Sequence, residues 1–124
     1  GMLDMKWHTI TEPYTGDVLA FEQKAVASTQ VMPVVEGTAM GPAFTHIFSG
    51  GYATGYYGYK WAEVLAADAY SYFQEKGIFS EEVSTKFRKE VLEQGGHKHP
   101  MELYQNFRGH KPQTKALIDQ MNLK

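Results

Sequence analysis

The chain has 124 residues, 43% of them hydrophobic, a formal charge of −2 and no cysteine, which is enough for one compact unit with a core of its own. No basic excess points to nucleic acid or an anionic membrane as partner, and no apolar run approaches the roughly 20 residues that cross a bilayer. Without cysteine there is no disulfide, thiolate metal site or thiol nucleophile, a composition that suits the cytoplasm.

Gly1 before Met2 reads as a tag-cleavage scar, and no signal-peptide pattern follows it. The expectation is an expressed piece of a longer protein. Met2 to Tyr14 alternates Leu3, Met5, Trp7 and Ile10 with Asp4, Lys6 and His8, as in a short strand or the tail of a helix whose beginning is missing. Thr11, Pro13, Thr15 and Gly16 mark a turn, and Asp17 is placed to cap a helix from about Val18 to Ser28. The buried side of that helix is expected to carry Val18, Phe21 and Ala25, with Leu19 and Val26 beside them. Pro33 and Gly37 break the next segment, whose Val31, Met32, Val34 and Val35 are expected to lie extended along the core. Pro42 opens a short helical turn towards His46.

After Ser49-Gly50-Gly51 the pattern predicts the longest helix, from about Ala53 to Lys76, with Gly77 as its C′ residue. Tyr57, Trp61, Leu65 and Tyr72 make one apolar stripe, and Gly58, Ala62, Ala66 and Ala69 a narrow one. Gly55 and Gly58 are unusual in such a helix, since each costs roughly 1 kcal/mol against alanine. Ser80 caps a helix from about Glu81 to Gln94 that buries Val83, Phe87 and Val91, and Gly95-Gly96 ends it. Pro100 opens another through Met101, Leu103, Tyr104 and Phe107 to Gly109. Pro112 opens the last, with Leu117, Ile118 and Met121 inward. The fold class is therefore all-α, about five helices around the long central one, with a minor extended segment near the N-terminus.

None of His8, His46, His97, His99 and His110 falls in an H-E-x-x-H pair, the helical spacing that sets two imidazoles on one zinc. His97 and His99 read as a solvated turn, and Glu81, Glu82, Glu90 and Glu93 as exposed charge. Asp68 lies in the Trp61 stripe, where a carboxylate loses water and needs a donor, so it reads as one end of a structural hydrogen bond. Tyr52, Tyr56 and Tyr59 follow i, i+4, i+7 spacing and share one face if the helix begins early. Neutral phenols can donate to a developing oxyanion. Tyrosines so spaced also fit a core or an interface. Gly50, Gly51 and Gly55 let backbone approach a ligand or hinge, and His46 is a second candidate donor.

The run from His46 to Leu65, with Ala67-Asp68-Ala69, Gly77-Ile78-Phe79, Gly95-Gly96, Pro100 to Tyr104 and Phe107-Arg108-Gly109, resembles the C-terminal part of the thimet oligopeptidase and peptidyl-dipeptidase family. The likeness reaches back through Leu3-Asp4-Met5, Trp7-His8, Asp17-Val18, Phe21-Glu22 and Val35 to Thr38, and so covers nearly the whole chain. It implies a mostly helical zinc peptidase that cuts short peptides in a deep channel. The metal is held there by H-E-x-x-H and a downstream glutamate. It also implies that the glycine-tyrosine segment is a mobile loop over the substrate. Matched position by position, His46 and Tyr59 take catalytic, oxyanion-stabilising roles, and Tyr52, Tyr56, Gly50 and Gly51 bind substrate.

Two departures bear on this. The zinc motif and the whole N-terminal half of the family pattern are missing, so zinc is the expected cofactor of the full-length enzyme, none is expected in this chain, and the chain alone is expected to be inactive. His110 stands where the family commonly has a second arginine. The expected partners are short peptides, the missing N-terminal part and, through uncovered apolar surface, a second copy. The competing reading is a stand-alone peptide-binding or interaction module.

Overall fold

The computed structural model describes residues 1–122. Those residues form seven α-helices, with short 3₁₀ turns and one π-helical stretch between them, and no strand. Their contacts divide the chain into two compact units, Gly1–Gly58 and Tyr59–Lys124.

In the first unit α1 is Met2–His8, α2 is Val18–Val26 and α3 is Thr45–Phe48. The N-terminal segment is thus helical, and the expected extended segment is absent among the described residues. The i, i+4 register decides it: Leu3 and Asp4 turn inward, and the His8 imidazole Nδ1 lies 2.9 Å from the Asp4 carbonyl one turn back. Asp17 caps α2 as expected, its carboxylate accepting from the Ala20 N–H at 2.9 Å. The inward side of α2 is Glu22 and Ala25, whereas Val18 and Leu19 are exposed. Leu3, Ala25 and Ile47 form a small core. Trp7 extends it, with its ring 4.1 Å from Phe21 and 5.7 Å from Tyr14.

Residues 30–40 do not lie along that core. Val31 is 90% and Val35 69% exposed, because the segment is anchored by a polar contact and not by its apolar side chains. Glu22 Oε2 accepts from the N–H groups of Met40 and Gly41, both at 3.2 Å.

The second unit is built on α4, Gly58–Lys76, whose first residue closes the first unit. The helix starts five residues later than expected, and the glycines that looked misplaced are at or before its first turn. Its buried positions are Val64, Ala67 and Asp68. Trp61, central to the predicted stripe, is 48% exposed. Ser80 caps α5, Glu81–Phe87, accepting from Val83 N–H at 3.3 Å. The expected long helix continues only as a π-helical stretch, Arg88–Leu92, before Gly95 turns the chain at φ 52°.

His99, read from sequence as part of a solvated turn, caps α6, Pro100–Arg108: its Nδ1 accepts from Met101 N–H at 3.2 Å. Gly109 ends α6 in the left-handed region at φ 87°, as its position after Arg108 predicts. The last helix, α7, is Lys115–Gln120, and Ile118 and Met121 point outward, not inward. Phe107 is the centre of this unit. It is 0% exposed and packs its ring 5.1 to 6.2 Å from those of Tyr72, Phe73 and Phe87.

Candidate functional site

The candidate site residues of the first unit sit on a chain of turns between α3 and α4. The last turn of α3 is closed by the Thr45 carbonyl, which accepts from Ser49 N–H at 2.7 Å and Gly50 N–H at 2.8 Å. The His46 carbonyl then accepts from Tyr52 N–H at 3.1 Å. This return demands glycine twice. A Cβ on residue 50 would lie 2.8 Å from the His46 Cα, backbone that cannot step aside, and Gly51 has φ 78°. Two successive turns follow, Gly55 N–H to the Tyr52 carbonyl at 2.9 Å and Gly58 N–H to the Gly55 carbonyl at 3.0 Å.

The turns bring three candidate side chains together. The His46 ring centroid is 5.8 Å from that of Tyr52 and 5.7 Å from that of Tyr56, the latter edge-on at 79°. Phe44 backs Tyr56 at 4.6 Å, also edge-on. Tyr52 and Tyr56 do not share a helical face, since α4 begins after both. The arrangement sets an imidazole and two phenols on an exposed surface, His46 and Tyr52 being the more open and Tyr56 partly covered. Tyr59 stands in the first turn of α4, in the second unit, and is 44% exposed.

Beneath the turns is a residue that the sequence reading passed over. Asp4 is 0% exposed. Its Oδ1 accepts from Thr54 N–H at 2.8 Å, its Oδ2 from Tyr56 N–H at 3.0 Å, and the His8 Nδ1 lies 2.9 Å from Oδ1. Burial alone would push this carboxyl up, but the two amides and the imidazole outweigh it and hold the group below its ordinary value. The available signal was an acid and a histidine four apart among Leu3, Met5 and Trp7. That pairing makes sense only on a helix.

In the second unit Asp68 behaves as its position predicts. It is 3% exposed and accepts from the Tyr104 hydroxyl at 2.7 Å and the Gln113 N–H at 3.0 Å. Arg108 Nε adds an ion pair at 3.4 Å and donates to the Asp68 carbonyl at 3.2 Å, and its Nη2 reaches Glu75 at 2.5 Å. Burial and the bond to Asp68 push the Tyr104 phenol well above the usual range, so it stays a donor at every physiological pH. The same unit holds a hollow of about 470 Å³, walled chiefly by apolar side chains including Trp61, Leu65, Val91, Met101 and Phe107.

The profile of peptidase family M3 matches residues 1–123. The chain belongs to that family. It is 43% identical over 128 aligned residues to oligopeptidase A of Salmonella typhimurium, an alignment covering all of this chain and 18% of that protein. It is 37% identical to the dipeptidyl carboxypeptidase of the same organism, with 98% of this chain and 18% of the relative aligned. It is also 38% identical to the probable cytosolic oligopeptidase A of Arabidopsis thaliana, over 94% of this chain and 17% of that protein. The chain thus spans less than a fifth of the length of these relatives.

Among the described residues no group of three or more His, Asp or Glu side chains is placed to hold a metal ion. No helix among them is long and apolar enough to cross a membrane.

Proposed function

We propose that this chain is the C-terminal subdomain of a cytoplasmic peptidase acting on short peptides, and that it supplies substrate-binding and oxyanion-stabilising donors to an active site completed by sequence outside these 124 residues. Tyr52, Tyr56, Gly50 and Gly51 bind the peptide; His46 and Tyr59 take catalytic, oxyanion-stabilising roles, relevant when the scissile carbonyl becomes tetrahedral. Donors fixed before reaction stabilise such charge without reorganising, and removing one costs about 10²- to 10³-fold in rate. The metal and the general base belong, in this reading, to the missing part of the enzyme.

The observation that carries the reading is the gathering of His46, Tyr52 and Tyr56 on glycine-closed turns in a member of peptidase family M3. Apolar side chains left in solvent, among them Val31, Met32, Tyr57 and Phe79, support a surface made to be covered, either by the rest of the peptidase or by a second copy.

Hydrolysis of a fluorogenic peptide tests this. The chain alone, with zinc added, is expected to show no turnover, and the chain joined to the remaining peptidase sequence is expected to cleave. Turnover by the chain alone would refute the reading. Calorimetric peptide binding by the chain alone, with no gain of activity on joining, would favour an independent binding module instead.

A further inference from the structure

The segment before α4 folds differently from what its sequence pattern predicts, and a buried side chain lies against it. Its hydrophobic spacing suits a helix running back to about Ala53, which would put Tyr52, Tyr56 and Tyr59 on one face. The structure instead has turns through residues 52–58, with Thr54 at φ 60°, a conformation that a β-branched residue adopts only under constraint.

We propose that Asp4 is a positioning residue for the glycine-tyrosine turns: its two carboxylate oxygens hold the backbone on either side of Gly55 and so set Tyr52 and Tyr56 against His46. The proposal deepens the reading of these turns as substrate-facing and rests on it. The geometry is specific. Alternate amides, Thr54 and Tyr56, go to Oδ1 and Oδ2 across 50 and 52 residues of sequence, while the intervening Gly55 N–H goes to the Tyr52 carbonyl. A helix from Ala53 would need the Tyr56 N–H on the Tyr52 carbonyl; that amide goes to Asp4, the carbonyl takes the Gly55 N–H, and α4 starts at Gly58. Asp4 itself is fully buried, and a carboxylate in that position is tolerated only because these donors meet it. His8, on the same helix, is its ionisable neighbour and fills the remaining side of Oδ1. The two contacts that Asp4 makes with the turns are to backbone amides, and through them it positions the phenols.

The test is residue-resolved NMR on this chain with Asp4→Asn, which keeps the shape but turns an N–H towards one of the two amides. Amide exchange at Thr54 and Tyr56 should accelerate about tenfold or more, and the Cα shifts of residues 53–57 should move towards helical values. Exchange at Met40 and Gly41, held by Glu22, should stay as it is. Unchanged rates at Thr54 and Tyr56, or equal acceleration at all four amides, would overturn the proposal, the second by showing general loosening. If the variant fails to fold, the wild-type chain answers: the Thr54 and Tyr56 amide shifts should titrate with the Asp4 carboxyl at one shared midpoint, and separate midpoints would refute it. No peptide takes part in these measurements. A short peptide added afterwards should shift His46, Tyr52 and Tyr56 in the wild type and less in Asp4→Asn. Turns that obey Asp4 but ignore peptide would overturn its role towards substrate and count against the proposed function.

Discussion

Each unit of this chain buries one aspartate almost completely, and the two are used in opposite ways. Asp68 binds its own scaffold: the side chains of Tyr104 and Arg108, both on α6, and the backbone at Gln113 converge on it. Asp4 binds a set of turns that no regular element stabilises, through two backbone amides. Burial of a carboxylate does not by itself say what it serves. Where the donors come from does: side chains of a packed helix mean architecture, and amides of a glycine-rich connection mean control of that connection.

Removing each carboxylate sharpens the contrast. Asp68→Ala leaves the Arg108 guanidinium and the Tyr104 hydroxyl without their buried partner, and loss of one member of a buried pair costs about 3–5 kcal/mol. Chemical denaturation should show a loss of that size; a loss under about 1 kcal/mol would mean that Glu75 and Ser71 hold Arg108 on their own. Asp4→Ala removes two charge-assisted bonds and should cost about 1.5–3 kcal/mol, with exchange of the Thr54 and Tyr56 amides most affected.

The pH dependence follows from the direction of the Asp4 shift. Its folded value lies below the unfolded one, so its contribution is fully present above the usual aspartate range and is lost as pH falls through the folded value. Acid should therefore loosen the turns of the wild type and have less effect on Asp4→Asn. Smallest should be Gly51→Ala, at about 1 kcal/mol, from forcing a Cβ into φ 78°. A neutral result there would show that the return after α3 can relax.

Much of the architecture could be read from the chain because its signals are local. Asp17 and Ser80 cap where they should, Gly77 and Gly109 take positive φ after their helices, and Phe107 and Leu103 are buried at the spacing that predicts it. Asp68 was legible for the same reason, since a carboxylate on an apolar stripe announces a missing donor. What failed to show depends on distant partners. The start of α4 depends on Asp4, more than fifty residues away, and nothing near Thr54 or Tyr56 reveals that their amides are claimed. Val31, Val35 and Ile118 were assigned inward because apolar residues usually are; they face outward here because no element of their own unit covers them. His99 as a cap was hidden by its placement beside Lys98 and His97 in an apparently solvated loop.

In the proposed function the Tyr59 hydroxyl is a donor and not merely part of a surface aromatic. Hydrolysis of a short fluorogenic peptide by the complete peptidase carrying this chain tests it most directly, comparing Tyr59→Phe with the wild type. The ring stays and only the hydroxyl goes, so kcat should fall about 10²- to 10³-fold with KM little changed. Undiminished kcat would rule out that role for Tyr59.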